Sequence, residues 1–220
     1  MIKNIIFDLD GTLADTSEDI IFSLNYALKK FGILKKVNFT SFKKVANRGS
    51  FLMIKKITKK NDLINNKIND YFLRHYRKNI CNKTKLKKNI LNLLKQAKKR
   101  KINLYVSTNK KEVNAILILK KLKLFKFFKF IAGHDTFKHQ KPCPLHLESL
   151  KKKFKLKKKQ TVFIGDTEID SELAYKFNIK FILIKKGYTN LKISQIKHDF
   201  SIMDYSNLPR IFKVLSKFNT

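Results

Sequence analysis

The chain has 220 residues, 43% hydrophobic and 30% charged, which is enough apolar material for one or two compact units and too much for a disordered tail. No run approaches the roughly 18 consecutive apolar residues of a membrane helix, and only Ile5, Ile6 and Phe7 gather before the first acid, so neither a membrane span nor a signal peptide is expected. The net charge of +34 suggests a polyanion partner, but the basic residues are 45 Lys and only 5 Arg, whereas phosphate and base recognition favours the planar guanidinium fork; no specific nucleic-acid partner is expected.

Lysine runs at 151–153 and 157–159 read as solvated helix and loop surface. Asn, Ile and Phe are abundant as well, and we read this combination as nucleotide bias in the gene. Cys81 and Cys143 form neither a disulfide framework nor a paired zinc-ligand pattern, so a reducing, cytoplasmic setting is expected.

In chain order, residues 3–9 form an apolar run that ends in acids and Gly11, the pattern of a buried strand entering a loop. From Ser17, the positions Ile20, Ile21, Leu24, Ala27, Leu28 and Phe31 keep helical spacing until Gly32. Residues 40–77 continue with helical spacing, interrupted at Asn47, Gly49 and Asn61-Asp62, and predict a small all-helical module. Leu86, Ile90, Leu93, Leu94 and Ala97 then read as one helical face. Strands are predicted at 102–106, 130–132, 162–164 and 181–184, with a short last one at 201–203. Helices are predicted from about Glu112, at 145–154, at 171–177 and at 208–215. This βα alternation predicts an α/β fold, a Rossmann-like parallel sheet covered by helices on both faces. The first strand belongs with the later ones. The predicted division is therefore a core of residues 1–15 and 80–220, with residues 16–79 inserted as a helical domain.

Acids are scarce, 16 in all, yet Asp8, Asp10, Asp166 and Asp170 fall just beyond the C-terminal ends of predicted strands, where open α/β sheets place their ligand crevice. Two carboxylates spaced by two residues project to one side of an extended chain. Held close, they repel, and a hard divalent cation such as Mg²⁺ is their natural partner. Taken singly, Asp166 or Asp170 would also suit a plainer role, capping and offsetting the dipole of the helix that follows, but the set of four acids points to the crevice. Ser107, Thr108 and Asn109 precede a helix, as either an anion site or an ordinary cap. Lys141 lies in Lys141-Pro142-Cys143-Pro144, where two prolines stiffen its presentation.

These pieces, Asp8-Leu9-Asp10-Gly11-Thr12-Leu13, Thr108-Asn109-Lys110, Lys141-Pro142 and Gly165-Asp166-Thr167-Glu168-Ile169-Asp170, resemble in order the four motifs of the haloacid-dehalogenase-like hydrolases. The helical insertion resembles that family's small cap, which closes over the site. The resemblance implies that Asp8 attacks phosphorus and becomes an aspartyl-phosphate, while Asp10 protonates the leaving oxygen and later activates water. It implies that Thr108, Asn109 and Lys141 bind the phosphate. It also implies Mg²⁺ held by Asp8, the main-chain carbonyl of Asp10 and Asp166, with Asp170 as a ligand through water or a support for Lys141. Asp10 argues against the dehalogenase branch, which transfers no phosphate.

Residues 13–20, Ala132-Gly133-His134-Asp135 and Gly187-Tyr188 further resemble phosphoglycolate phosphatases. In the matching cap loop, Asn47-Arg48-Gly49-Ser50, Arg48 is expected either to meet a substrate carboxylate or phosphate or to be a surface charge beside a helix-breaking glycine. His134, His139 and His146 are expected on the surface or in loops. The expected activity is an Mg²⁺-dependent phosphomonoesterase acting on a small phosphorylated acid such as 2-phosphoglycolate. Pyrophosphate, nucleoside monophosphates, sugar phosphates and phosphohexose mutation are alternatives, and a basic nucleic-acid-binding protein is the alternative from a different class. The short Lys/Asn-rich cap, Thr167-Glu168-Ile169 and Phe137-Lys138-His139 depart from the subfamily pattern and leave specificity open, as the motifs leave the oligomeric state.

Overall fold

The computed structural model describes residues 1–46 and 49–218. Six strands, β1 (Asn4–Phe7), β4 (Asn103–Ser107), β5 (Phe130–Ala132), β6 (Thr161–Gly165), β7 (Lys180–Ile184) and β8 (Phe200–Ile202), form one parallel sheet in the order β5-β4-β1-β6-β7-β8. β1 lies at its centre, with Ile5 opposite Leu104 on one side and Val162 on the other. Every residue of β1 is buried because both faces are covered, which is why the strand reads as a continuous apolar run rather than an alternation.

Alternate side chains serve different faces. Ile5 and Phe7 pack in a cluster with Leu93, Leu94, Ile118 and Leu119 from α5 (Ile90–Lys99) and α6 (Glu112–Lys121). Ile6 packs on the opposite face with Leu147, Leu150, Leu173 and Phe177 from α7 (Leu145–Phe154) and α8 (Glu168–Phe177). The chain crosses from β5 to β6 over β1, so strand order reverses between β1 and β6, and the crevice of such a sheet opens at their C-terminal ends. A last helix, α9 (Leu208–Lys217), closes the chain.

Between Asp15 and Lys85 the described residues form four α-helices, α1 (Ser17–Lys30), α2 (Phe39–Lys43), α3 (Ser50–Thr58) and α4 (Asp62–Asn79), with α4 packed against both α1 and α3. The buried stripe Ile20, Leu24, Ala27 and Leu28 of α1 meets Ile68, Phe72 and Tyr76 of α4 in the same hydrophobic cluster. This is the small helical cap inserted in the α/β core. Among the described residues, no helix is long and apolar enough to cross a membrane.

Three expectations need correction. Leu86 is not on a helical face: it lies in β3 (Lys85–Leu86), paired antiparallel with β2 (Ala14–Asp15), and is 39% exposed. This short ladder ties the chain leaving the cap to the chain entering it, and α5 starts only after Asn89, whose left-handed backbone (φ 61°) precedes the first helical turn. α8 begins at Glu168 rather than Ser171, because Thr167 and Asp170 form a capping box at its start. His146 is neither surface nor loop. It lies on the inner face of α7, fully buried, and packs edge-on against Phe137.

Candidate active site

Asp8 continues β1 by one residue, its N–H donating to the Ile164 carbonyl at 2.9 Å, and its side chain is buried at the β1/β6 crevice. Lys141 reaches it from the segment before α7: the ammonium donates to Asp8 Oδ1 at 2.6 Å and to Asp170 Oδ1 at 2.7 Å. The other oxygen of Asp170, Oδ2, accepts from the Thr167 N–H (3.1 Å) and hydroxyl (2.7 Å). Asp170 therefore both caps α8 and holds Lys141.

Asp166 is different. Its Oδ1 accepts from the Thr12 hydroxyl at 2.7 Å and its Oδ2 from the Tyr188 N–H at 2.6 Å, so its side chain is turned into the crevice rather than onto the helix. It fits there because two glycines face it: a Cβ at Gly11 would lie 2.3 Å, and one at Gly187 2.2 Å, from Asp166 Oδ2. Gly11 also needs its positive φ of 86° for the turn whose N–H reaches the Ala14 carbonyl. Thr12 is fixed in turn by the buried Tyr205, which donates to the Thr12 carbonyl at 3.1 Å.

Single ligand oxygens of Asp8, Asp166 and Asp170 lie within 4.8 Å of one another, and all three residues are buried. Burial, only partly opposed by Lys141, and then Asp170, Asp166 and Asp10 raise the Asp8 carboxyl well above its ordinary value. Burial and Asp170 push Asp166 up to about 7. Burial alone would depress the Lys141 ammonium, but Asp170 and Asp8 more than offset it and hold it above its ordinary value. Three ionised carboxylates facing one ammonium would leave two negative charges uncompensated in a buried place. An all-oxygen donor set with that excess fits a hard divalent cation.

Thr108 is buried, its N–H donating to the Ala132 carbonyl at 2.9 Å. Its hydroxyl accepts from the Lys110 N–H at 3.2 Å and does not cap α6, whose first N–H, that of Glu112, donates instead to Asp135 Oδ1 at 2.8 Å. Asn109 Nδ2 donates to the Lys141 carbonyl at 3.2 Å, linking the two loops. Asp8, Asp10, Thr108, Asn109, Lys141 and Asp170 all line one cavity of roughly 300 Å³, whose far wall is apolar and comes from the cap helices, including Phe42, Met53, Phe72 and Tyr76. Asn47 and Arg48, and with them the expected contact of Arg48, lie outside the described residues.

Several residues at the site have no role assigned from sequence, although Thr16, Lys110 and Tyr188 lie in stretches that carry the resemblance. Thr16 donates to Asp10 Oδ1 at 2.5 Å, and Lys110 pairs with Asp10 Oδ2 at 3.2 Å. The Tyr76 hydroxyl accepts from Lys110 at 3.2 Å. The Tyr188 hydroxyl accepts from the Thr16 N–H and donates to Asp15, each at 2.7 Å. Lys110 belongs to the Thr-Asn-Lys motif, so a signal existed; among 45 lysines it did not stand out.

Residues 5–184 match the haloacid dehalogenase-like hydrolase family. A phosphoglycolate phosphatase of Agrobacterium fabrum is 30% identical over 219 residues, covering 96% of this chain and 94% of the relative. One from Aquifex aeolicus is 31% identical over 207 residues, covering 94% and 95%. The crystal structure of a predicted phosphoglycolate phosphatase from Haemophilus somnus 129pt superposes with a TM-score of 0.89 at 27% identity, covering 96% of this chain and 98% of that one.

Proposed function

The chain belongs to the haloacid dehalogenase-like hydrolases, as a phosphatase similar to phosphoglycolate phosphatases, and on that premise we propose an Mg²⁺-dependent phosphomonoesterase that works through an aspartyl-phosphate. The observation that carries the reading is Lys141, bonded at once to Asp8 and Asp170 beside Asp166, in a buried cluster that opens into the cavity under the cap.

Asp8 attacks phosphorus, forming the Asp8 Oδ–P bond as the ester P–O bond breaks. Asp10 gives a proton to the departing alkoxide, then takes one from the water that hydrolyses the acyl phosphate. Lys141 and Thr108, with Asn109 bracing the Lys141 loop, stabilise charge on the phosphoryl oxygens; this is electrostatic work in a site shielded from water. Asp8, the main-chain carbonyl of Asp10 and Asp166 would hold the Mg²⁺, with Asp170 supporting Lys141 as its main task. When bound, the cation supplies the positive charge that the carboxylates lack and draws density from the phosphate.

Residues 16–79 serve as the cap that excludes water. A small phosphorylated acid such as 2-phosphoglycolate is the favoured substrate, on the likeness to the curated relatives, and Arg48 is assigned to its carboxylate or phosphate. The Lys-rich surface carries no specific nucleic-acid role in this reading. A panel of phosphate esters assayed with Mg²⁺ and with chelator tests it. Phosphate release with 2-phosphoglycolate among the best substrates, abolished by chelator, is expected; release unaffected by chelator would overturn it.

A further inference from the structure

Asp10 is gripped from two sides, and each grip includes a residue of the helical cap or of its entrance. Oδ1 accepts from Thr16, immediately before α1, whose hydroxyl also lies 3.4 Å from the Tyr188 hydroxyl. Oδ2 pairs with Lys110, whose ammonium is seated on Tyr76 near the end of α4, 3.2 Å from the hydroxyl and 4.7 Å from the ring centroid.

Lys110 stands on the core side of this pairing. Its N–H donates to Thr108 and its carbonyl accepts from the His134 N–H at 3.0 Å. Tyr76 is the cap's part, 1% exposed and stacked on Phe72 at 5.7 Å. Lys110 is 10% and Asp10 19% exposed at the side chain, so the ion pair is shielded from solvent, where charge–charge contacts hold geometry well. A lysine side chain free of Tyr76 would have several rotamers open to it; the hydroxyl and ring restrict it to the one that meets Asp10.

We propose that Lys110 is a positioning residue that transmits cap docking to Asp10: Tyr76 seats the Lys110 ammonium against Asp10 Oδ2 when α4 lies over the site, and thereby aims the carboxyl that exchanges protons with the leaving group and water. This rests on the reading of Asp10 as the acid and base of the phosphatase. It assigns Lys110 no contact with the reacting phosphate. The proton is still supplied by Asp10, and Lys110 stays protonated throughout.

The test exploits the difference between leaving groups. An alkoxide needs a proton as it departs, whereas p-nitrophenolate leaves without one. Single-turnover phosphoryl transfer, enzyme in excess and Mg²⁺ saturating, is measured with 2-phosphoglycolate, or the alkyl ester turned over best, and with p-nitrophenyl phosphate. Wild type is compared with Lys110→Met, Lys110→Arg and Tyr76→Phe. Loss of an aligned general acid predicts a fall of about 30-fold or more for the alkyl ester in Lys110→Met, against about 3-fold or less for p-nitrophenyl phosphate. Tyr76→Phe, which keeps the ring and the packing, shows the same bias at about 5-fold, and Lys110→Arg recovers part of the loss.

Equal losses for both esters, or a Tyr76→Phe enzyme indistinguishable from wild type, would overturn the coupling while leaving the phosphatase reading intact. Phosphoryl transfer that persists undiminished in Asp8→Asn would overturn the phosphatase reading, and this inference with it.

Discussion

His146 offers a quantitative test of the packing on the α7 face of the sheet. It is fully buried, its Nδ1–H donates to the His139 carbonyl at 2.9 Å, and its Nε2 has no partner among the described residues. Burial lowers its pKa to about 4, with Lys141 adding to the effect and the His139 carbonyl opposing it. The folded protein thus keeps a neutral imidazole where the unfolded chain, with an ordinary value of 6.5, takes up a proton.

Between those two values the unfolded state binds more protons, so stability rises with pH there. Read downward, the contribution is whole above pH 6.5, is lost progressively toward pH 4, and levels off below. The span of about 2.5 pKa units corresponds to about 3 kcal/mol. The assay is urea unfolding of wild type and His146→Asn at half-unit steps from pH 7.5 to 4. Asn keeps an N–H in reach of the His139 carbonyl, and its packing loss does not depend on pH. Other titrating groups are common to both proteins and cancel in the difference. Wild type should lose about 3 kcal/mol more than the variant across this window. A difference that stays flat with pH would refute the buried neutral imidazole.

Two further substitutions probe the acidic cluster. Gly187→Ala would bring a methyl to 2.2 Å from Asp166 Cβ and Oδ2; the displaced carboxylate should cost about 2–3 kcal/mol in thermal or chemical unfolding and remove most phosphatase activity. Asp170→Asn takes one carboxylate from Lys141 and weakens the capping box at α8. Activity should fall by at least about 100-fold with stability reduced by about 1–3 kcal/mol, read from kcat and from the urea midpoint.

The sheet was legible because its strands are buried on both faces, so β1, β4, β6 and β7 appear as short apolar runs separated by helical spacing. Leu86 misled because an apolar residue four before Ile90 satisfies helical spacing, while pairing with Ala14 is a contact far along the chain that periodicity does not register. The acids Asp8, Asp166 and Asp170 were legible because acids are rare here and Asp8 and Asp166 directly follow β1 and β6, with Asp170 in the first turn of the next helix. The roles of Lys110, Thr16 and Tyr76 were not, since each looks ordinary by composition and acquires its meaning only where the entrance to α1, the end of α4 and the loop after β4 meet around Asp10. His146 reads as a surface or loop residue because a lone polar ring carries no periodic signal, and only its burial and its contact with Phe137 show that α7 turns it inward.

The fate of the Asp8 side chain during turnover tests the aspartyl-phosphate most directly. Enzyme mixed with Mg²⁺ and a radiolabelled phosphomonoester, quenched in acid within one turnover and digested, should yield a hydroxylamine-labile phosphate on the peptide containing Asp8, and none in Asp8→Asn. Full turnover of the ester with no such label, and undiminished in Asp8→Asn, would contradict it.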